Sequence, residues 1–368
     1  MKTRLIATSA MLLTAMSALA QDGSATLNTS GNWSNALIWS PNSFAPINGQ
    51  NGQNWNATVN ASTVTVDMAV AIQNLLFGGG TINGAHTLTL HGIGSAWTGG
   101  TFSGTGITQI ASGATLNISG TALKEIAGRA LNIGGGTGTA ITTWTGAGNI
   151  NLADGIIRMQ TGGLFDIQND QQIGDNNANS ANGALVVEGG GILRKSAGGA
   201  TTTIGGTLGS GTNTVNTTVN AGGLVEVQSG TLRFLGTFSN HGTANANART
   251  LLLNGGGTSS GTFHAGENGT IQFTGGTQTL TTVDMQTAAI TGAGRTSVAG
   301  GRLDVAGMVT VDAENFGISS GTLGGAGTLN ISGTFEFSGG AMDTAGGVTN
   351  LLEGATASIS GSSTSFQA

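Results

Sequence analysis

The segment Thr115-Leu-Asn-Ile-Ser-Gly-Thr121 decides the fold, because it recurs without change at Thr328–Thr334. A looser match sets the stretch Trp97–Gly120 against the stretch Phe337–Gly361. Repetition on this scale is typical of solenoids, in which each coil of the chain stacks on the coil before it.

The spacing of related strand cores gives the length of one coil. Cores of the form Gly-Thr-Leu/Ile-x-apolar begin at Gly230, Gly269 and Gly327, and Ala114 takes the glycine position in an earlier copy. The intervals between these starts correspond to six, two and three coils of about 19 residues. Residues 61–368 then predict roughly 16 coils and a rod on the order of 75 Å long.

Alternation and turn residues indicate strands throughout the repeats. Triplets such as Val64-Thr-Val66 and Leu303-Asp-Val305 alternate apolar and polar side chains, which sends one set inward and the other to water. Glycine pairs separate the triplets, and both prolines, Pro41 and Pro46, precede the first repeat. The prediction is an all-β, right-handed parallel β-helix with an N-terminal cap. One weak helical pattern occurs, at 121–131.

The first twenty residues have the features of an export signal. Lys2 and Arg4 precede a short apolar stretch, and Ala18-Leu19-Ala20 provides a small-x-small cleavage pattern before Gln21. We therefore assign residues 1–20 to a signal peptide, 21–60 to a cap and 61–368 to the solenoid. No later stretch is long and apolar enough to predict a membrane span in the mature chain.

The cap segment contains three of the five tryptophans, Trp33, Trp39 and Trp55. We expect them to cover the apolar end of the first coil, and the alternative is an exposed aromatic patch that stacks on carbohydrate. No matching cap follows Ile359, which suggests a truncated reading frame or one module of a longer protein. Open coil ends also predict end-to-end self-association.

Composition limits the classes of partner. Removal of the signal leaves nine basic and 17 acidic residues, which argues against nucleic acid and anionic membranes as partners. Because the chain has no cysteine, packing and backbone pairing must supply its stability.

The repeats resemble those of large bacterial surface proteins. The resemblance rests on the block from Trp97, the segments Gly113–Gly120, Trp144–Ile150 and Leu193–Gly199, and the opening Trp33…Pro41. Autotransporter passenger regions and filamentous-haemagglutinin-like proteins have repeats of this kind. The resemblance implies export, surface display, and a role in adhesion or matrix building. The chain shows neither a C-terminal translocator barrel nor an Asn-Pro-Asn motif, so the secretion and anchoring route stays open.

Known catalytic and metal motifs are not found in the sequence. The four histidines, His86, His91, His241 and His264, are scattered without metal-ligand spacing. The acidic stretch 166–175 has no EF-hand spacing, and we interpret it as a polar insertion loop. Threonine-rich stretches raise an ice-binding alternative, which their irregular register disfavours. No cofactor or metal is predicted.

Asp304 and Glu336 form the one candidate catalytic pair. Each stands between apolar neighbours and should point outward, and their positions in the sequence place them one or two coils apart. On one face this would place the carboxyl groups about 5–10 Å apart, a distance suited to glycoside hydrolysis. Surface solubility is the competing interpretation of the two acids.

The sequence thus predicts a non-enzymatic, exported protein at the outer cell surface or in the extracellular space. Its expected partners are host or neighbouring cell surfaces and extracellular polysaccharide. The alternatives are a polysaccharide lyase or hydrolase built on a β-helix, and a carbohydrate-binding module.

Overall fold

The structure is a computed structural model that describes residues 22–41, 43–177, 181–208, 213–343, 346–361 and 364–367. The predicted signal peptide, residues 1–20, lies outside the described residues. The chain is an all-β parallel solenoid, as predicted.

Each coil of the solenoid contributes one strand to each of three faces, and the chain passes from face 1 to face 2 to face 3 before it returns to face 1. Face 1 comprises Asp22–Leu27, Asn54–Val59, Asn74–Phe77, Ser95–Trp97, Thr115–Ile118, Ala140–Trp144, Gly163–Ile167, Ile192–Lys195, Leu224–Val227, Thr243–Ala246, Thr262–Ala265, Thr328–Ile331, Val348–Leu351, and the first parts of Ala289–Val298 and Met308–Ile318. Face 2 comprises Gly31–Asn32, Thr63–Thr65, Thr81–Asn83, Gly100–Ser103, Lys124–Ala127, Ile150–Ala153, Gln172–Asp175, Thr201–Thr207, Thr231–Phe234, Thr250–Leu253, Thr270–Phe273, Thr334–Phe337, Thr356–Ile359, and the second parts of the same two long strands. Face 3 comprises Val70–Ile72, Leu88–Leu90, Ile107–Ile110, Ala130–Ile133, Ile156–Met159, Gly183–Val187, Val215–Val219, Phe238–Asn240, Gly257–Ser259, Thr277–Leu280, Arg302–Val305, Thr322–Gly324, Gly340–Asp343 and Thr364–Gln367.

Few other elements interrupt this pattern. Trp39–Ser40 pairs antiparallel with Asp22–Leu27, and Thr282–Val283 forms a small hairpin with Gln286–Thr287. The helices among the described residues are two 3-10 turns, Ala36–Ile38 and Gln50–Gly52, and neither has the length to cross a membrane. The helical pattern at 121–131 was misleading, because this segment forms the strands Lys124–Ala127 and Ala130–Ile133.

Alternating side chains build the core in thin layers. In the repeated Thr-Leu-Asn-Ile segment, Leu116 and Ile118 are buried, and so are their counterparts Leu329 and Ile331. Both copies lie on face 1, so the identical sequences occupy equivalent places in two coils. The local pattern therefore predicted the inward side of these strands correctly.

The coils are fewer and longer than predicted. The fourteen strands of face 3 give about 13 turns, not 16. The shortest coils pair residues as close in sequence as Val70 and Leu88, whereas the longest pair Gly183 with Val215. Among the spacings used above, the interval from Gly230 to Gly269 does span two coils of one face, through Thr231, Thr250 and Thr270. The other two intervals join strands of face 1 with strands of face 2, so their division into equal coils was wrong.

The N-terminal end is closed by tryptophans. Trp33 and Trp39 are fully buried with ring centroids 4.9 Å apart, and their indole nitrogens donate to the carbonyl oxygens of Pro46 and Trp33. The parallel ladder itself begins at Asp22, which pairs with Asn54, inside the segment assigned to the cap. In the last coils, by contrast, Leu351 and Ile359 continue buried columns of the core but are 46% and 60% exposed.

Candidate functional site

A polar groove crosses the corner between face 3 and face 1, and it is built from coils longer than average. The coils lengthen one after another along face 3, where the successive register pairs are Ile107–Ala130, Ala130–Ile156 and Ile156–Ala184. The extra residues form corner loops, of which Gly134-Gly-Gly-Thr-Gly-Thr139 is the one that enters the groove.

Arg129 holds the strand beneath this loop in place. Its guanidinium is 1% exposed and donates to four backbone carbonyls of earlier coils, those of Gly84, His86, Ser103 and Ile107. Its Nε also donates to the hydroxyl of Thr108. Burial lowers the pKa of Arg129 to about 10, so it remains charged at neutral pH. A buried cation with every donor direction satisfied fixes the start of Ala130–Ile133 against the coils below it.

Two columns of side chains form the walls of the groove. Gln109, Asn132 and Arg158 are register partners that point outward from face 3. The second column follows the ends of the same strands and includes His91, Gln160 and Glu188. Together with the loop, these residues enclose two adjoining depressions of about 730 and 480 Å³ that share Gly135, Gly136 and Gln160.

The glycines of the loop leave no side chain standing between the two depressions. Gly134 and Gly135 have φ angles of 91° and 92°, which favour glycine. A Cβ at Gly135 would lie 2.7 Å from Oε1 of Gln160, and one at Gly136 would overlap the hydroxyl of Ser112. The loop is therefore backbone without side chains at Gly135 and Gly136, packed against Gln160 and Ser112.

Charge in the groove is balanced internally. Arg158 pairs with Glu188, whose second oxygen accepts a hydrogen bond from Asn220 of the next coil. Gln109 donates to the carbonyl of Gly134 at 2.7 Å. The groove thus presents one compensated ion pair among amides, hydroxyls and the imidazole of His91.

Other polar groups of the groove have no protein partner. Asn132 is 7% exposed, and its Oδ1 accepts no hydrogen bond from the described residues. The side chains of Gln160 and His91 likewise make no hydrogen bond within the described part of the chain. Some amides elsewhere on the solenoid are paired along its axis, as in Asn74 with Asn56 at 2.8 Å and Asn350 with Asn330 at 2.9 Å, whereas others, such as Asn83 and Asn245, also have an oxygen without a donor.

The structure does not bring Asp304 and Glu336 together. Asp304 lies on face 3, where its Oδ1 is 2.7 Å from Nε of Arg302. Glu336 lies on face 2, where its Oε2 is 2.9 Å from Arg295. Both point outward, as the alternation predicted, but the assumption of a common face does not hold. Each carboxylate has its own arginine partner.

The acidic stretch 166–175 is also different from its prediction. Asp166 lies within the face 1 strand Gly163–Ile167 and Asp175 ends a strand of face 2, so most of the supposed insertion loop is solenoid. Asp170 lies at the corner and pairs with the fully buried Lys195 at 2.9 Å. Burial acts to raise the pKa of Asp170, but the hydrogen bonds from Lys195 and the backbone of Ala200, together with the charge of Lys195, outweigh it and lower the pKa. No group of three or more acidic or histidine side chains with metal-binding geometry occurs among residues 22–367 that the structure describes.

The remaining predicted groups lie apart from the groove. Nδ1 of His241 is 2.9 Å from Ser260, and Nδ1 of His264 is 2.9 Å from Thr291. The tryptophans of the cap are buried, and Trp55 is only 4% exposed, so they do not form the exposed carbohydrate-stacking patch considered above. Register partners on face 2 include the threonine rows Thr63–Thr81–Thr101, three coils long, and Thr201–Thr231–Thr250–Thr270, four coils long.

Sequence reasoning missed the groove residues. The signals were present, since residues 134–139 hold four glycines in six positions and the strands on both sides are too far apart for a coil of the predicted length. The assumption that every coil has about 19 residues concealed both signals.

Comparison with known proteins gives little further information. No family model and no curated protein matches the chain. Among solved structures, the chain is similar to a crystal structure of a TibC-catalyzed hyper-glycosylated TibA fragment, with 15% identity over 92% of this chain and 95% of that one. The TM-score is 0.28, which is too low to support an argument about function.

Proposed function

We propose that this protein is an exported, non-enzymatic solenoid of the cell surface or extracellular matrix that acts in adhesion. The observation that carries the proposal is the continuous parallel ladder on three faces, with polar side chains paired along its outside. Asp166, Arg194 and Glu226, for example, are successive partners on face 1, and Arg194 binds Glu226 at 2.8 Å. A stiff rod with repeated polar rows suits the display of contact surfaces at a distance from the cell.

Removal of the gene from its host tests this proposal. We expect cells without the protein to attach less to surfaces and to one another, while they degrade polysaccharides at an unchanged rate. Restoration of attachment by a plasmid copy is the control. Unchanged attachment would contradict the proposal.

The enzymatic alternative has a separate test. If the purified protein depolymerised pectin or alginate, and Asp304→Asn with Glu336→Gln removed that activity, the protein would be an enzyme. Because these two acids lie on different faces, we expect neither the activity nor an effect of the substitutions.

Export is tested by the N-terminus of the protein recovered outside the cell. We expect it to begin at Gln21, after the small-x-small pattern at Ala18–Ala20. Recovery of the chain from the cytoplasm with Lys2 and Arg4 still present would contradict this part of the proposal.

A further inference from the structure

We propose that the groove formed by His91, Gln109, Asn132, Arg158, Gln160 and Glu188 binds an extended neutral glycan. This inference rests on the proposed adhesive function and gives it a site and a class of ligand.

Unpartnered polar groups are the first argument for a ligand. A buried amide oxygen without a donor costs free energy, and folded proteins rarely leave one in that state. Asn132 lines the groove with Oδ1 buried beneath the surface and with neither atom of its amide in a hydrogen bond to the described residues, and the amide of Gln160 is free at the place where the two depressions meet. A ligand with hydroxyl groups can accept from the amide nitrogen of Asn132 and can both donate to and accept from the amide of Gln160.

The charge of the groove selects a neutral ligand. Arg158 is held by Glu188, and Glu188 is held in turn by Asn220, so neither charge is available to an anionic polymer without loss of these contacts. A peptide that adds as a strand is also disfavoured, because Ala130–Ile133 already pairs with the strands on both of its sides.

The geometry of the groove suits a repeating polymer. Its walls offer one residue per coil, at Gln109, Asn132 and Arg158 on one side, with the ~4.8 Å spacing of neighbouring strands. That spacing is close to the length of one sugar unit in an extended chain. Between the walls, the bare backbone of Gly134–Gly136 allows the flat side of a sugar ring to approach closely.

Binding of polysaccharides to the purified mature chain, residues 21–368, tests the proposal. The probes are the neutral polymers dextran, laminarin, xyloglucan and galactomannan, with the anionic polymer alginate for comparison, each measured by affinity electrophoresis and biolayer interferometry. We expect at least one neutral polymer to bind. Asn132→Ala and Gln160→Ala should each weaken that binding about fivefold to tenfold, as loss of one hydrogen bond does.

Gln272→Ala is the matched control, because Gln272 points outward from face 2 and is also without a side-chain hydrogen bond in the described residues. We expect it to bind as the unaltered protein does. Circular dichroism and thermal unfolding establish that each variant is folded. Since Asn132 and Gln160 support no other side chain, we expect all three variants to unfold at similar temperatures.

Three results would overturn the proposal: no binding of any neutral polymer, a preference for alginate, or equal binding by Asn132→Ala, Gln160→Ala and the control. Attachment of cells separates this failure from failure of the adhesive function. If cells with both groove substitutions attach normally while deletion cells do not, the groove is not the glycan site but the protein is still an adhesin.

Discussion

The coils from residue 107 to 215 differ from those between 217 and 278 in length and in what they hold. The later coils are regular and short, as the face 3 pairs Thr217–Phe238, Asn240–Ser259 and Gly257–Gln278 show. The earlier coils are longer, up to the one that separates Gly183 from Val215. They contain the groove and three fully buried cations, Lys124, Arg129 and Lys195. The extra residues at the corners of the long coils provide the carbonyl oxygens and polar side chains that the buried lysines and the groove require.

The largest expected loss of stability is at Lys195, a core residue of the long coils whose register partner Val227 belongs to the regular coils. Nζ of Lys195 donates to the carbonyls of Asn169 and Ala197, to Asp170 and to Thr202, whereas its partner in the next coil is Val227. Lys195→Met should lower the free energy of unfolding by about 3–5 kcal/mol, because it leaves a carboxylate and buried acceptors unpaired.

Val227→Ala is the comparison in the regular region, and we expect a loss of about 2 kcal/mol from the missing methyl groups. Urea unfolding measures both. If Lys195→Met is as stable as the unaltered protein, the buried lysine does not hold the long coils together as described.

A smaller effect is expected at two glycines. A Cβ at Gly269, in the regular region, would overlap the carbonyl oxygen of Ala246 in the coil below. Gly113 lies in the long coils with a φ of 85°, and a Cβ there would contact nothing within 4 Å. Gly269→Ala should cost about 3 kcal/mol through overpacking, and Gly113→Ala about 1 kcal/mol through backbone strain alone.

Thermal and urea unfolding of the two alanine variants provide the measurement. Equal losses would contradict the difference in available space at Gly269 and Gly113.

The smallest expected effect is on the pH dependence of stability, because one carboxyl group in each region has a shifted pKa and the two shifts have opposite directions. Burial raises the pKa of Asp175 at the end of a long-coil strand above its usual 3.8, despite hydrogen bonds from the backbone of Asn177 and Gly183. Burial acts the same way on Glu226, but hydrogen bonds from Gln228, Arg194 and Asn247 outweigh it and lower its pKa below 4.5.

The ionised Asp175 therefore costs stability at neutral pH, and this cost disappears as pH falls through its raised pKa towards 3.8. The ionised Glu226 stabilises the fold above pH 4.5, and this contribution is lost as pH falls through its lowered pKa. Relative to the unaltered protein, Asp175→Asn should therefore become less stable as pH falls to about 4.

Relative to the unaltered protein, Glu226→Gln should become more stable as pH falls below 4.5. Urea unfolding at a series of pH values measures both trends. Parallel trends for the two variants would contradict the assignment of opposite shifts.

The sequence predicted what depends on local pattern. Alternation identified Leu116 and Ile118 as inward, and the tryptophans of the cap were expected to cover the first coil. These features follow from the two-residue period of a strand and from hydrophobic burial, which short segments already express.

What depends on the length of each coil could not be predicted in the same way. A corner loop has no fixed length, so residues 134–139 gave no register for the strands beside them. Asp304 and Glu336 were therefore expected on one face although they lie on two, and Asn132 and Gln160 were not expected to meet at all. Coil length, and not strand pattern, decides which distant side chains become neighbours.

The central claim is that the long coils keep the three-face register despite their extra residues. Leu164 and Ile192 are outward partners on face 1, whereas a uniform coil of the predicted length would pair Leu164 with a residue near Ala184, which lies on face 3. Since the chain has no cysteine, engineered pairs can be oxidised without competition.

Disulfide formation after mild oxidation tests this most directly, because a disulfide requires Cα atoms about 4.4–6.8 Å apart. We expect the double variant Leu164→Cys with Ile192→Cys to form a disulfide, detected as linked tryptic peptides. The double variant Leu164→Cys with Ala184→Cys should remain reduced. The reverse result would contradict the account of long coils in one continuous frame.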